Sequence, residues 1–421
     1  MLLNNVDIAV QIMNTSKLLI FANVWPEPNS SAAGGRMLQL INTFTKHNFV
    51  ICYACTAAPS AFAVNLSAIG VQTKQVALND DVVDDLLLQF NATIVLFDRF
   101  MTEEQFGWRV AKLLPKALRV LNTEDLHCVR RSRQKAFKTE TPWSERLLIE
   151  NEDTKREIAA IFRCDISLII SKVEMDLLKR LFNVPSTHLY YYPFIANKQT
   201  NNKTFSEREG FVSIGNMMHQ PNWQSVLTLK DELWPRIKAL KPNATIAIYG
   251  AYCSEKVTQL NNTKTGFLVK GRAENALEVI QNSRVLLAPL MFGAGLKGKL
   301  LEAMACGTPS ITTTIGAEGM AENSNDWGGV VTNNWDDFAE AAVALYDNES
   351  SWHQAVEKGE KLFNSQFTNF QLLDDLLSML HNLKDKLENH RLKNFTGAML
   401  MHHRLQSTKF MSKWIAAKNK E

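Results

Sequence analysis

The chain lacks the long apolar run that a membrane span requires: nowhere in its 421 residues does one approach the roughly 18 to 20 needed. It is also poor in cysteine. Six, scattered along a chain of this length, cannot build a disulfide framework, and they point to a reducing compartment. The first twelve residues carry Asp7 and no basic n-region of a secretory leader. They read as a ragged extension, with Met13 the expected natural start. These absences give the expectation of a cytoplasmic protein, in which the Asn-X-Ser/Thr sequences at Asn65 and Asn91 carry no meaning. Charge of one sign is scarce as well: the formal net is only +3, and no recognised nucleic-acid motif accompanies the basic stretches, so nucleic acid is not expected as a partner. Cys52 and Cys55 have the spacing of a metal pair, yet they sit in a strand-like apolar run with no second pair elsewhere. They are read as buried thiols rather than zinc ligands.

What the chain does have is apolar content, 46%, in short runs separated by helical stretches, enough for substantial cores and two domains. Residues 17–24 (KLLIFANV) read as a first strand, followed by a Pro, Asn and Ser loop that ends at Gly34 and Gly35, where a helix is expected to begin. Met37, Leu40, Ile41 and Phe44 recur at i, i+3, i+4 and i+7, one apolar stripe for packing on a sheet. Further runs at 49–55, 93–97, 119–121 and 166–170 continue the alternation, which predicts a parallel, doubly wound α/β domain over residues 1–195. Residues 196–210 are polar and rich in Asn, Lys and Thr, an expected linker. The alternation restarts at 211–215, 244–250, 267–270 and 285–290, predicting a second α/β domain over 211–380 and leaving 381–421 as a helical segment. No internal repeat or low-complexity tract is evident.

The most informative stretch is 291–319, MFGAGLKGKLLEAMACGTPSITTTIGAEG. It follows the continuous apolar run VLLAPL, a strand buried on both faces, and its Gly293, Gly295 and Gly298 free the backbone for a tight turn and close approach to a ligand. Residues 299–306 then have helical composition, ended by Gly307 and Pro309. The N–H groups at such a helix start suit a diphosphate, with Lys297 and Lys299 as counter-charges. Glu302 is the lone carboxylate of that helix. Either it pairs with Lys299 on a solvated face, or it accepts hydrogen bonds from a ribose one turn from the phosphates.

These residues closely resemble the donor-binding segment of GT-B glycosyltransferases, specifically the retaining family 4 that uses nucleotide-sugar donors. The resemblance implies two Rossmann-like domains facing a cleft, with Gly295, Leu296, Lys297, Gly298 and Lys299 on the donor diphosphate and Glu302 on its ribose. The family's pattern has another glutamate eight residues before, which usually touches the sugar; this chain has Ala294 there. The amides around Gly295 to Gly298 are expected to take over part of that role. Gly34 and Gly35 resemble the family's N-terminal glycine loop, also near the diphosphate, with Arg36 reaching either an anion or solvent. The implied donor is a nucleotide-diphosphate sugar, with no cofactor required and no metal expected, since no Asp-X-Asp pair precedes a strand end.

In the first domain two strands end in ionisable residues, Asp98 with Arg99, then Glu124, Asp125 and His127. Because ligands gather at the strand ends of open α/β sheets, Asp98, Glu124 and His127 are the catalytic candidates. Their other reading is as helix caps or arginine partners. Asn222, with His219, follows the first strand of the second domain and either contacts the nucleotide or starts a helix with Pro221. Nine Lys or Arg gather at 109–138, a local patch suited to an anionic acceptor or a membrane surface with acidic lipids, or to solvent. The tail from 390 to 420 holds seven Lys or Arg and no acid. It is read as a helix crossing back to the first domain, anchored by Phe410 and Trp414, with a membrane-surface helix as the alternative. The expected activity is transfer of a sugar to a hydroxyl on a glycan or lipid-linked acceptor of surface-polysaccharide or glycolipid synthesis, in the cytoplasm or peripheral at the inner membrane face. Two alternatives remain: a nucleotide-sugar epimerase and a non-catalytic binding protein on the same scaffold.

Overall fold

The computed structural model describes residues 16–200 and 203–418. The expected extension at 1–12, with Met13, lies outside them, as do residues 201 and 202 of the linker. Strands β1 (Lys17–Ala22), β2 (Val50–Cys55), β3 (Gln72–Gln75), β4 (Ile94–Asp98), β5 (Leu118–Asn122), β6 (Ile166–Ile169) and β7 (Leu189–Tyr191) pair in parallel in the order β3-β2-β1-β4-β5-β6-β7. Alternation along β1 explains why it is central: Leu19 and Phe21 enter one core, Leu18, Ile20 and Ala22 the other. The same two-residue period separates the cysteine pair. Cys52 belongs to one core and Cys55 to the opposite one, so their thiols lie on different faces of the sheet.

The helices of this domain include α1 (Ala32–Lys46), α2 (Phe100–Leu113), α3 (His127–Lys138), α4 (Glu152–Arg163) and α5 (Lys172–Phe182). Helix α1 begins before the glycine pair, because the Ser31 hydroxyl caps it by accepting from the Gly34 N–H at 3.1 Å. Its stripe of Met37, Leu40, Ile41 and Phe44 is buried, as the spacing predicts.

The second sheet comprises β8 (Phe211–Ile214), β9 (Ile246–Tyr249), β10 (Phe267–Gly271), β11 (Val285–Ala288), β12 (Ser310–Thr312) and β13 (Gly329–Val331), parallel in the order β10-β9-β8-β11-β12-β13. Helix α6 (Gly298–Ala305) follows β11 directly, and α7 (Glu349–Gln366) closes this domain with Leu362 and Phe363 in its core. The chain then returns. The Phe367 carbonyl accepts from the Ala196 N–H at 2.8 Å, so the outgoing and returning connections run side by side.

The return is made by α8 (Gln371–Asp385), α9 (Leu387–Lys393) and α10 (Phe395–Lys418). Leu376, Leu377, Leu380 and Leu387 pack into the first domain, so the expected limit at residue 380 falls inside a helix that already belongs there. An amphipathic stripe shows that a helix packs, not on which sheet. Helix α10 lies across α4 and α2, yet Phe410 and Trp414 are not its anchors: each is 61% exposed. Small residues make the contact instead. A Cβ on Gly397 would run into the Phe162 carbonyl, and the buried Ser412 meets Arg109.

Arg391 fixes the start of this return. Its Nε and Nη2 each donate to the Asp165 carboxylate at 2.7 Å, and Nη2 also reaches the Ala117 carbonyl at 2.7 Å. Burial works to raise the Asp165 pKa, but Arg391 and Arg119 hold it below the usual carboxylate value. Arg391→Ala, which strands that buried carboxylate, is expected to cost about 3 kcal/mol in urea unfolding at neutral pH. The difference from wild type should shrink as pH falls and Asp165 is protonated.

Candidate active site

The carboxyl ends of the two parallel sheets face each other across a cleft of ≈ 650 Å³. From the second domain, the turn after β11 runs along its floor. Gly295 is held at φ +61°, Lys297 is the N-cap residue of α6 with its carbonyl accepting from the Leu300 N–H at 2.9 Å, and the Gly298 and Lys299 N–H groups before Leu300 have no partners within the helix. The glycines of this turn also answer to the other domain. A Cβ on Gly295 would lie 2.8 Å from the Asp125 Cβ, and one on Gly298 would lie 2.3 Å from the Ala32 Cβ at the start of α1. The close approach expected for a ligand is thus also an approach between domains. The Gly295 amide, expected on the ligand, donates at 2.8 Å to Glu174 of α5, which also accepts from the Leu126 N–H at 3.0 Å.

Lys297 and Glu302 both line the cleft, with Leu296, Gly298 and Lys299 between and beside them. Lys297 donates to the Gly295 carbonyl at 2.8 Å, and burial pulls its pKa down to about 8. Desolvation draws Lys299 down to about 8 and pushes Glu302 up to about 7, against the pull of Lys299. Glu302 is not on a solvated face. Its side chain is recessed in the cleft one turn from the helix start, where an incoming hydroxyl would relieve its desolvation.

On the first-domain side, Glu124 and His127 line the cleft and Asp98 does not. Asp98 lies behind the wall, where it accepts from Arg99 at 2.6 Å and from Asn122 at 3.0 Å; Arg99 is the member of this pair that reaches the cleft. Glu124, at φ +58°, accepts from Arg36 at 3.1 Å and Asn122 at 2.8 Å. Arg36 is therefore buried against protein rather than offered to an anion. The backbone N–H groups of His127 and Cys128 are capped by Glu157 at 3.1 and 2.8 Å, which seats the His127 ring at the start of α3. Gly34 and Gly35 lie inside α1 and do not line the cleft; Ala32 and Ala33 do. The tight packing at Gly34 is against the backbone of Glu27.

Asn222 lines the cleft, and its side-chain amide donates to the Asn216 carbonyl at 2.9 Å. The helix that holds it starts at Gln220 with Pro221 in its first turn, which is the helix-start reading of this segment. Further contacts complete the walls, some from Asp125 and His219, some from residues that the sequence did not single out. Asp125 takes Arg130 at 3.2 Å, Arg130 meets His219 of the second domain at 2.9 Å, and Tyr252, at φ +60°, donates to Glu27 of the first domain at 2.7 Å. Strand-end position flags Asp125 and His219, whereas Arg130, Glu27 and Tyr252 carry no such signal.

The basic stretch 109–138 is dispersed by the fold. Arg109 pairs with Asp84, Arg119 with Asp165, Arg130 with Asp125, Arg131 with Asp153, and Arg133 with Glu318 across the cleft. Sequence proximity set the arginines together, whereas each helix and strand end turns them towards different carboxylates. The arginines of the stretch are thus paired, whereas Lys112, Lys116, Lys135 and Lys138 stay exposed and in no salt bridge among the described residues.

Residues 208–348 match the family model of the glycosyl transferases group 1. No curated protein matches the chain in sequence. Among solved structures, the sucrose-phosphate synthase of Thermosynechococcus elongatus is 12% identical with a TM-score of 0.65, over 87% of this chain and 99% of that one. A glycosyltransferase of Rickettsia africae is 11% identical with a TM-score of 0.63, over 87% and 98%. Anabaena Alr3699/HepE in complex with UDP-glucose is 10% identical with a TM-score of 0.64, over 87% and 100%. The chain has the GT-B fold, and the match to the group 1 model falls on its second domain.

The shifted ionisations set a pH window for any nucleoside diphosphate bound in the cleft. Lys297 and Lys299 carry their charge below about 8 and lose it as pH rises, whereas Glu302 becomes a full acceptor only above about 7. Affinity in calorimetric titrations should therefore peak between those values. Glu302→Gln should flatten the acid limb and leave the alkaline one.

Proposed function

We propose that the protein is a glycosyltransferase that moves a sugar from a nucleotide-diphosphate donor to a hydroxyl acceptor with retention. The observation that carries the reading is the pairing of Lys297 and Glu302 one helical turn apart on the cleft wall, at the start of a helix whose N-terminus opens onto that cleft. A diphosphate on the first turn of α6 would gain charge-assisted hydrogen bonds from its amides and Lys297, while the ribose hydroxyls would donate to Glu302. The sugar would then point towards Arg99, Glu124, Asp125 and His127 on the opposite wall. That the Anabaena protein of the same fold was crystallised with UDP-glucose supports a donor of this class.

In such a transfer the bond from the anomeric carbon to the diphosphate oxygen breaks, and the acceptor oxygen bonds to that carbon on the same face. The acceptor proton passes to the departing diphosphate, so no protein nucleophile is required. The demand falls on stabilising the leaving group. Lys297 and the α6 amides would offset charge as it develops there, and closure of the domains would keep water from hydrolysing the donor. The acceptor class that fits is a glycan or lipid-linked precursor of a surface polysaccharide or glycolipid.

Lys297→Ala and Glu302→Ala should each weaken nucleoside-diphosphate affinity about tenfold or more, as loss of one charge-assisted hydrogen bond implies, with no fall in melting temperature. Unchanged affinity in both variants would sink the site. Incubation with a donor panel separates the activities: nucleotide release that depends on an acceptor supports transfer, an isomerised donor supports an epimerase, and binding without turnover supports a scaffold role.

A further inference from the structure

Helix α10 is built inside out for a helix lying on a water-soluble domain. Its inner face carries the small residues Gly397 and Ser412, while Phe395 is 78% exposed and Phe410 and Trp414 are each 61% exposed. Phe395 and Met399 near its start and Phe410 and Trp414 near its end fall within about 100° of one another on a 3.6-residue repeat, so two apolar pairs share its outward side, with His402, His403 and Gln406 between them in the sequence. Lysines flank the second pair. Lys409 and Lys418 sit over the Phe410 and Trp414 rings at 5.7 and 5.4 Å, Lys413 lies exposed between them, and no acidic residue occurs from 390 to 420.

We propose that this outer face of α10 docks on an anionic lipid surface. An aromatic and methionine face rimmed by lysines suits the boundary between headgroups and acyl chains: the rings enter it, and the flexible ammonium groups reach the lipid phosphates. No described helix is long and apolar enough to cross the membrane, so the contact is interfacial. A second copy of the chain fits worse. A two-fold contact through this face would bring its lysines against the same lysines of the partner, with no acid on α10 to compensate. The charge selects a negative surface. The proposal is independent of the transfer chemistry, because none of these residues lines the cleft.

Sedimentation of the full chain with lipid vesicles tests it. The protein should pellet with vesicles containing phosphatidylglycerol, much less with pure phosphatidylcholine, and less as salt is raised. The double variants Phe410→Ser with Trp414→Ser, and Lys409→Glu with Lys413→Glu, should each lower partitioning about tenfold or more, with melting temperature and nucleotide affinity unchanged. Absence of pelleting with anionic vesicles, or pelleting that both double variants leave intact, overturns the proposal. So does concentration-dependent self-association in the ultracentrifuge that the same variants abolish, which would make the face a subunit contact. A protein that binds vesicles but turns over no donor would leave this proposal standing and refute only the enzymatic reading.

Discussion

The cleft depends on one hydrogen bond between domains, from the Gly295 amide to the buried carboxylate of Glu174. The same oxygen also holds the Leu126 N–H, next to Asp125 and His127, so a single side chain of α5 registers the glycine turn of one domain against the strand end of the other. Burial, reinforced by Asp125, pushes the Glu174 pKa up to about 8, and its second oxygen has no hydrogen-bond partner. A carboxylate kept in that position is there for geometry, since desolvation alone would have expelled it. The glycines follow from the same contact. With Asp125, Ile170 and Ala32 already at van der Waals range, a side chain at Gly295 or Gly298 would push the domains apart.

Strain marks the same place. Apart from asparagines, which tolerate the left-handed region, the non-glycine residues held at positive φ among those described are Arg99, Glu124, Glu140 and Tyr252. All but Glu140 line the cleft. Arg99 and Glu124 close β4 and β5, so the strand ends are bent to present their side chains, and the network of Asp98, Asn122 and Arg36 behind them holds the bend. Tyr252 does the same from the second domain, reaching Glu27 across the mouth. Backbone strain persists only where surroundings over-determine it, and here those surroundings come from both domains.

Much of this was legible in the sequence. Two series of short apolar runs specify two parallel sheets because a strand covered on both faces has no polar side to show, and the glycine turn with Lys297 and Glu302 announced itself by composition. What the sequence hid were the facts of facing. Asp98 and Asp125 are both strand-end acids, but the one at the strand's last residue is tucked behind Arg99 while the one three residues past β5 meets the second domain. The leucines of α8 show a packed helix without naming its sheet. The arginines at 109–138 look like a patch until the fold hands each a carboxylate, and Phe410 and Trp414 look like anchors until Gly397 and Ser412 take the inner face.

The same constraint accounts for Ala294. The family pattern places a carboxylate there, yet in this chain Ala294 is 8% exposed and packs with the core of the first domain, adjacent to the Gly295 that Glu174 and Asp125 surround. A glutamate at 294 would bring a third carboxylate into a region that already holds two, one of them with an unpaired buried oxygen. Like charges so placed cannot all ionise. Ala294 therefore lines the cleft without a charge, and the carboxylate beside the turn is Glu174 of the opposing domain, which holds the turn. Among the described residues Lys297 and Lys299 form no salt bridge, whereas Arg99 and Arg130 on the opposite wall are paired with Asp98 and Asp125, so a negatively charged ligand meets unpaired cations at the glycine turn.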